Sequence, residues 1–431
     1  MSKHKIVIIG GGAGGLELAT LLGDDAKIRQ IAEITLIDAN MTHIWKPRLH
    51  EIAAGALNAD IDELSYVAHA KNHDFNFMLG RMSGVDRDNK KLILEPYREG
   101  EETILPQRDI DYDTLVIAIG SQTNDFGTKG VEDNCIFLDK RLEAERFHRQ
   151  FLNEYLRHAA SSDSGDSLNI AIVGAGATGV ELAAELHHSA HELMYYGFGQ
   201  LKPENLKISI IEGADRVLPV LSPKTSSAIL SQLKTLKIEV LTGEIVSEAT
   251  SEGLHTQSGK FIPAQLKVWS AGVKAPEILR NISGLETNRI NQLVVHDTLQ
   301  STHDENIFAF GDCAQCPRPD SDRPVPPRAQ SAHQQALLLS ESLKNRLAGK
   351  ELLSYVYKDK GSLISLSKTG SVGNIMGNLS KDFTFGGKIA RLMYISLYRM
   401  HQITLHGYFK TLLIILRDLV NKKTGPKLKL H

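Results

Sequence analysis

Lys5-Ile6-Val7-Ile8-Ile9-Gly10-Gly11-Gly12-Ala13-Gly14-Gly15 opens the organised part of this chain, and Ile34-Thr35-Leu36-Ile37-Asp38 follows one helix-length later. An apolar run, a glycine turn, and a second apolar run ending in an acid read as strand, turn, helix, strand. In that arrangement Gly10 makes the turn, Gly12 lets backbone approach a pyrophosphate, and Gly15 packs the helix on the strand. The helix N-terminus then offers free N–H groups and a partial positive charge to phosphate. Asp38 is placed to accept hydrogen bonds from a ribose, so the stretch predicts an adenine dinucleotide site.

The pattern occurs twice. Asn169-Ile170-Ala171-Ile172-Val173 leads into Gly174-Ala175-Gly176-Ala177-Thr178-Gly179, and the strand Lys207-Ile208-Ser209-Ile210-Ile211 ends at Glu212. Two dinucleotides are therefore implied. Gly179 and Glu212 are 33 residues apart, against the usual twenty or so, because residues 187–205 extend the helix and add a Gly-rich loop. Glu212 is expected to bond both ribose hydroxyls and repel a 2′-phosphate, favouring NADH over NADPH; the nearby Arg216 leaves that preference open. Each unit closes on a buried strand and a small-residue turn, Leu115 to Gly120 in the first and Leu266 to Gly272 in the second. From there the chain is expected to return to the first unit through Gln292-Leu293-Val294-Val295 and Asn306-Ile307-Phe308-Ala309-Phe310-Gly311-Asp312.

Composition sets the outer limits. A chain of 431 residues is too long for one ordinary domain. Its net charge of -2 conceals an asymmetry: residues 386–431 carry nine Lys or Arg against Asp418, leaving 40 basic and 50 acidic residues for the rest. A cationic tail on an anionic body points to an anionic surface as partner, with no nucleic acid expected. Three cysteines make no disulfide framework and suit a reducing compartment. The opening five residues and the run after them do not read as a secretory signal, since Glu17 interrupts the run and no small-residue cleavage site follows. No stretch reaches 18 consecutive apolar residues, so no bilayer-spanning helix is expected.

Between the motifs, Asn40 to Glu51 forms a loop entering a helix, where the chain would pass the reactive ring of an FAD. No cysteine precedes Cys135, so this loop lacks the Cys pair of flavoenzymes that reduce disulfides. Lys46 reads equally as a partner of the ring's polar edge or as a solvated lysine beside Pro47. Residues 61–110 read as a β-rich excursion with turns at Asp86-Arg87-Asp88-Asn89 and Glu99-Gly100-Glu101, and 161–167 as a linker.

Together these features resemble the two-dinucleotide flavoprotein reductases: twin glycine fingerprints with acid-ended second strands, twin small-residue turns, and Ile307-Phe308-Ala309-Phe310-Gly311-Asp312 before a helix. That resemblance implies an α/β fold of two Rossmann-like domains. The FAD-binding domain would span 1–128 and 290–385, the NADH-binding domain 129–289, and a membrane-associating region 386–431. In such proteins the Gly311-Asp312 pair sets a carboxylate on the flavin's ribityl chain. Pro326-Pro327-Arg328-Ala329-Gln330-Ser331-Ala332-His333-Gln334-Gln335 further resembles the Ala-Gln-x-Ala-x-Gln signature of type II NADH:quinone oxidoreductases. The two prolines suit the extended lead and first turn of a helix, whose N-terminal dipole favours the negative charge of a reduced flavin. Gln330 and Gln334 lie four apart on one face, while Ala332 and Ala336 leave room for a flat quinone. The resemblance also implies a quinone-side role for Lys360, in Lys360-Gly361, and places Glu181 against nicotinamide and flavin. Otherwise these two are a turn-flanking lysine and a helix-start carboxylate. Cys313-Ala314-Gln315-Cys316 has no second pair to complete a Cys₄ zinc site, and no metal is expected.

The tail completes the expectation. Ile389, Leu392, Met393, Leu397 and Met400, and then Tyr408, Leu412, Ile415, Leu416 and Leu419, recur at helical spacing among Lys388, Arg391, Arg399, Lys410 and Arg417. Such helices fit the plane of a membrane interface, with Lys422, Lys423, Lys427 and Lys429 on headgroups; the other use of the stripes is a homodimer. The whole reads as a peripheral flavoenzyme at the cytoplasmic face of a bacterial inner membrane, passing electrons from NADH through FAD to a membrane quinone without pumping ions. A soluble reductase of a protein or disulfide, and a non-catalytic redox sensor, are the other classes.

Overall fold

Ile6, Val7, Ile8 and Ile9 are all buried, as both faces of a parallel strand require. In the computed structural model, which describes residues 2–160, 167–197, 205–282, 284–359, 362–365, 371–375, 383–386, 388–424 and 428, they form the strand His4–Ile9. It pairs in parallel with Ala32–Asp38 on one side and Thr114–Ile117 on the other. Asn76–Leu79 extends the sheet beyond the first neighbour and Asp304–Ala309 beyond the second, with Gln300–Ser301 antiparallel at the edge. Strand order reverses beside His4–Ile9, so a crevice opens at its carboxyl end, where doubly wound sheets bind ligands.

The second sheet repeats the plan. Leu168–Val173 lies between Leu206–Glu212 and Leu266–Trp269, with Glu239–Thr242 and Ile136–Phe137 outside them, all parallel. Chain return is also as expected: Asp304–Ala309 belongs to the first sheet, and Leu293–Val294 pairs with Ala314–Gln315 beside it. The antiparallel ribbon of Gln122–Thr123 with Val273–Lys274 joins the two small-residue turns.

Three features add to or adjust the sequence reading. Residues 61–110 are β-rich as expected, but they include the helix Tyr66–Asn72, and Asn76–Leu79 joins the first sheet. Arg141–Ala160 forms a long helix whose Ala144, Phe147, Phe151 and Tyr155 bury one face, a periodicity lying outside the glycine motifs. Pro326 and Pro327 precede the helix Ala329–Leu347 rather than sitting in its first turn. Arg328 is its N-cap, held extended at φ -146 and ψ 149. The linker's residues 161–166 lie outside the described residues.

The tail helix Lys388–Thr424 is two helices joined at Gly407, whose φ of 71 and ψ of 172 break the helical path. This glycine-only conformation turns the chain between two unlike halves. Before it, His401, Gln402 and Leu405 are buried on the body. After it, Tyr408, Phe409, Leu412, Leu413, Leu416, Leu419 and Val420 are exposed. Side chains of the first stripe from Ile389 to Leu397 lie outside the described residues.

Histidines dominate the seam between tail and body. His69 is buried, shares a hydrogen bond with Thr20 Oγ1 at 2.8 Å, and meets His406 edge-on at 5.8 Å. Burial, then the neighbouring His73 and His406, push the His69 pKa down to about 3. Above about pH 6.5 His69 is neutral whether the chain is folded or not. As pH falls towards 3 the unfolded chain takes a proton that the folded site refuses, so stability is lost at up to about 1.4 kcal/mol per pH unit. His69→Gln is expected to flatten the fall in urea-unfolding free energy between pH 7 and 5 relative to the unsubstituted protein.

Candidate functional site

The two glycine turns are built alike. Gly10 N–H donates to the Ile37 carbonyl at 2.8 Å, and Gly174 N–H to the Ile211 carbonyl at 2.7 Å. The acid ending each second strand then holds the next N–H. Asp38 Oδ2 accepts from Gly11 N–H at 2.7 Å, and Glu212 Oε2 from Ala175 N–H at 2.7 Å. A Cβ on Gly15 would lie 1.9 Å from the Gly10 carbonyl oxygen, and one on Gly179 2.0 Å from that of Gly174, so each helix reaches its strand only without a side chain there. At Gly12 and Gly176, by contrast, nothing lies within 4 Å of a Cβ position: both backbones border open space.

That space is one cleft of about 2050 Å³ between the two sheets. Gly10, Gly12, Gly15, Asp38, Lys46 and Gly120 line it from the first unit, with Gly311, Asp312, Ala329 and Gln330. From the second unit come Gly174, Gly176, Glu181, Glu212 and Gly272. Gly179 is buried under its turn and does not line the cleft.

Individual side chains are held firmly. Asp38 Oδ1 also accepts from the backbone N–H and the amide of Asn40, at 2.8 and 3.0 Å. Burial nonetheless pushes its pKa up. Asp312 is likewise pushed up by burial, with Ser121 Oγ donating to it at 2.9 Å. Lys46 Nζ donates to the Ser121 carbonyl at 2.8 Å and to Asp139 at 2.9 Å, fixing the ammonium at the rim of the first turn. Glu181 is buried, with Oε2 3.6 Å from Nδ1 of His50, an imidazole that burial keeps neutral. Arg216 turns to the Pro219 carbonyl and does not line the cleft.

Along the helix Ala329–Leu347 the sequence-derived residues separate. Gln330 is buried at the cleft, its amide 3.4 Å from Asp359. Gln334 instead exchanges two hydrogen bonds with the Lys358 backbone, at 2.9 and 3.1 Å, and does not line the cleft. Ala332 borders the cleft, whereas Ala336 is in the core, so only the first keeps that surface small. Lys360 and Gly361 lie outside the described residues.

Several supporting residues had no role expected of them: Tyr66, His43 and His50 line the cleft, and Gln335 accepts from Gly311 N–H at 2.9 Å. One signal was available, an acid within the apolar first helix, for Glu17 is fully buried. Cys313 and Cys316 are buried, burial raises both thiols to about 12, and no described cysteine lines the cleft. No group of three metal-ligating side chains occurs among the described residues.

Comparison with known proteins agrees with this geometry. Residues 4–336 match the pyridine nucleotide-disulphide oxidoreductase family. The type II NADH:quinone oxidoreductase of Haemophilus influenzae is 46% identical over 444 residues, covering 99% of this chain and 100% of that protein. This chain belongs to the type II NADH:quinone oxidoreductase family. A Staphylococcus aureus protein of the same name is 30% identical over 381 residues, 87% of this chain and 90% of its own. The structure of NDH2 from Plasmodium falciparum in complex with NADH superposes with a TM-score of 0.84 at 21% identity, covering 99% and 100% of the two chains. The sulfide:quinone oxidoreductase of Aquifex aeolicus shares the fold at a TM-score of 0.74 and 16% identity. FAD and NADH are the cofactors of this family, and the open backbone at Gly12 and Gly176 fits a pyrophosphate at each turn.

The two turns are separable by substitution. Gly179→Ala puts a methyl 2.0 Å from a carbonyl of the second turn alone. The purified variant is expected to stay yellow while NADH no longer bleaches its flavin absorbance; loss of colour would place the damage in the first unit.

Proposed function

We propose that this chain oxidises NADH and reduces a membrane quinone, with FAD at the first glycine turn and NADH at the second, without moving ions. The observation that carries this reading is the pair of equivalent carboxylate-braced turns opening on one cleft. FAD, when bound, supplies the redox chemistry, taking a hydride and giving up two electrons. The residues of the chain supply position and charge.

In this reading residues 1–128 with 290–385 hold FAD, 129–289 hold NADH, and 386–431 meet the membrane. Gly10, Gly12 and Gly15 with Asp38 hold one adenosine diphosphate portion, and Gly174, Gly176 and Gly179 with Glu212 hold the other. Both helix N-termini add partial positive charge for phosphate. Lys46, Gly120, Gly311, Asp312 and Ala329 surround the rest of the flavin, and Gly272 its nicotinamide side. Glu181 borders the nicotinamide, where a carboxylate favours the positive charge of NAD⁺ over neutral NADH. Gln330, Gln334 and Lys360 belong to the quinone side, with Gln334 acting through the Lys358 backbone that it holds.

The tail gives this chemistry its location. Exposed Tyr408, Phe409, Leu412, Leu413, Leu416, Leu419 and Val420, with Lys410 and Arg417 among them, make an apolar face with cations at its margins. Such a face suits an anionic bilayer surface, here the cytoplasmic face of a bacterial inner membrane. None of the described helices is long and apolar enough to cross a membrane.

Two measurements test the reading. Purified yellow protein is expected to oxidise NADH roughly tenfold or more faster than NADPH at subsaturating nucleotide, and only with a quinone present; equal rates would remove the role given to Glu212. Deleting residues 408–431, the part of the tail beyond Gly407, is expected to preserve reduction of a water-soluble quinone and abolish turnover with a quinone embedded in anionic vesicles. Unchanged turnover in vesicles would defeat the membrane assignment.

A further inference from the structure

Beneath the first glycine turn lies a hydrogen-bonded chain of buried side chains. Gly11's carbonyl accepts from Tyr66 Oη at 2.6 Å and lies 3.0 Å from Nδ1 of His43. His43 Nε2 lies 3.1 Å from His401 Nε2, and His401 Nδ1 lies 2.6 Å from Glu17 Oε1. The other oxygen, Glu17 Oε2, is 2.7 Å from Nδ1 of His333. Five separate elements meet here: the first fingerprint helix Ala13–Asp24, the strand Thr42–His43, the helix Tyr66–Asn72, the helix Ala329–Leu347 and the tail helix Lys388–Thr424.

The direction of the hydrogen bonds follows from what each group can do. A carbonyl only accepts, so His43 Nδ1 donates to Gly11. Burial holds the His43 pKa down to about 3, so His43 is neutral and its Nε2 accepts from His401. Glu17 is wholly buried, which favours its neutral form, yet the bonds from His333 and His401 outweigh this and hold its pKa below the usual range. As a carboxylate it only accepts, so His401 Nδ1 donates to it. His401 thus bridges His43 and Glu17, one ring nitrogen to each. The ring of Trp45, 4.3 Å away and tilted by 34°, covers the His401 imidazole.

We infer that His401 is a positioning residue for the dinucleotide cradle: through His43 it fixes the peptide joining Gly11 to Gly12, so docking of the tail and grip on FAD are coupled. A trans peptide turns its N–H away from its C=O. With the Gly11 oxygen held inward by Tyr66 and His43, the Gly12 N–H is turned the other way, to the side where the open space lies. An oriented N–H is what a pyrophosphate meets at such a turn. Release of the tail removes the partner of His43 Nε2 and one of the two partners of Glu17, and the Gly11 peptide is then held by Tyr66 and a His43 ring no longer braced from behind. Coupling of this kind is reciprocal, so FAD must tighten the tail as much as the tail tightens FAD.

The inference rests on FAD occupying the first turn and is independent of which acceptor the flavin reduces. The test uses the full-length holoenzyme and free FAD as probe, and reads flavin fluorescence on release together with protease cleavage within residues 388–424. His401→Gln is expected to weaken FAD binding by about tenfold, and removing FAD from the unsubstituted protein to accelerate cleavage of the tail. Tyr66→Phe, which leaves every tail contact in place, is expected to weaken FAD without altering cleavage of the apoprotein, separating grip on Gly11 from overall folding. FAD affinity unchanged in His401→Gln, or tail cleavage indifferent to FAD, overturns the inference. A protein that never binds FAD would instead overturn the functional reading on which it rests.

Discussion

One carboxylate on one backbone N–H, made twice, underlies this structure. Asp38 holds Gly11 and Glu212 holds Ala175, each at 2.7 Å. Each bond ties the end of a second strand to the turn leaving the first, and so sets where the following helix begins. Because burial raises the cost of charge on Asp38, backbone and Asn40 donors are needed to keep its oxygens satisfied. Two such clamps on opposite walls of one cleft are what make the chain a two-dinucleotide protein.

Around that pair the structure distributes charge unevenly. The half-buried Asp38 and Asp312 and the buried Glu181 line the cleft, while Lys46 is held at its edge by Asp139 and the Ser121 carbonyl. Low local dielectric makes each of these groups count for more than it would in water. The tail reverses the surface logic. Its half after Gly407 exposes large apolar side chains, whereas the half before it is sealed to the body by histidines, with Arg399 on Asp418 at 2.7 Å bracing the two halves. The docked half and the exposed apolar half thereby lie on different sides of a single glycine break.

Legibility in the sequence followed the strength of local constraint. Both fingerprints, their acids, the closing turns and the return of Asp304–Ala309 to the first sheet were readable, because each depends on residues near one another in the chain. The prolines were misplaced by a few residues, since extended backbone before a helix and its first turn both tolerate proline. Gln330 and Gln334 share a helix face, but the Lys358 backbone takes up the second, which spacing on one helix does not reveal. Ala336 went into the core for the same reason: the partner packing on that face is distant in sequence.

By itself, then, the sequence determined two strand–turn–helix units, an acid for each, and a cationic amphipathic tail, all written in periods of two to a few residues. Only the tertiary structure decided that both turns open on one cleft, that Gly12 and Gly176 border empty space, and that Glu17 meets His401 from the far end of the chain. Those outcomes depend on contacts spanning hundreds of residues, for which no local pattern exists. An isolated acid in an apolar helix signals that some partner is required; which side chain arrives is settled by packing alone.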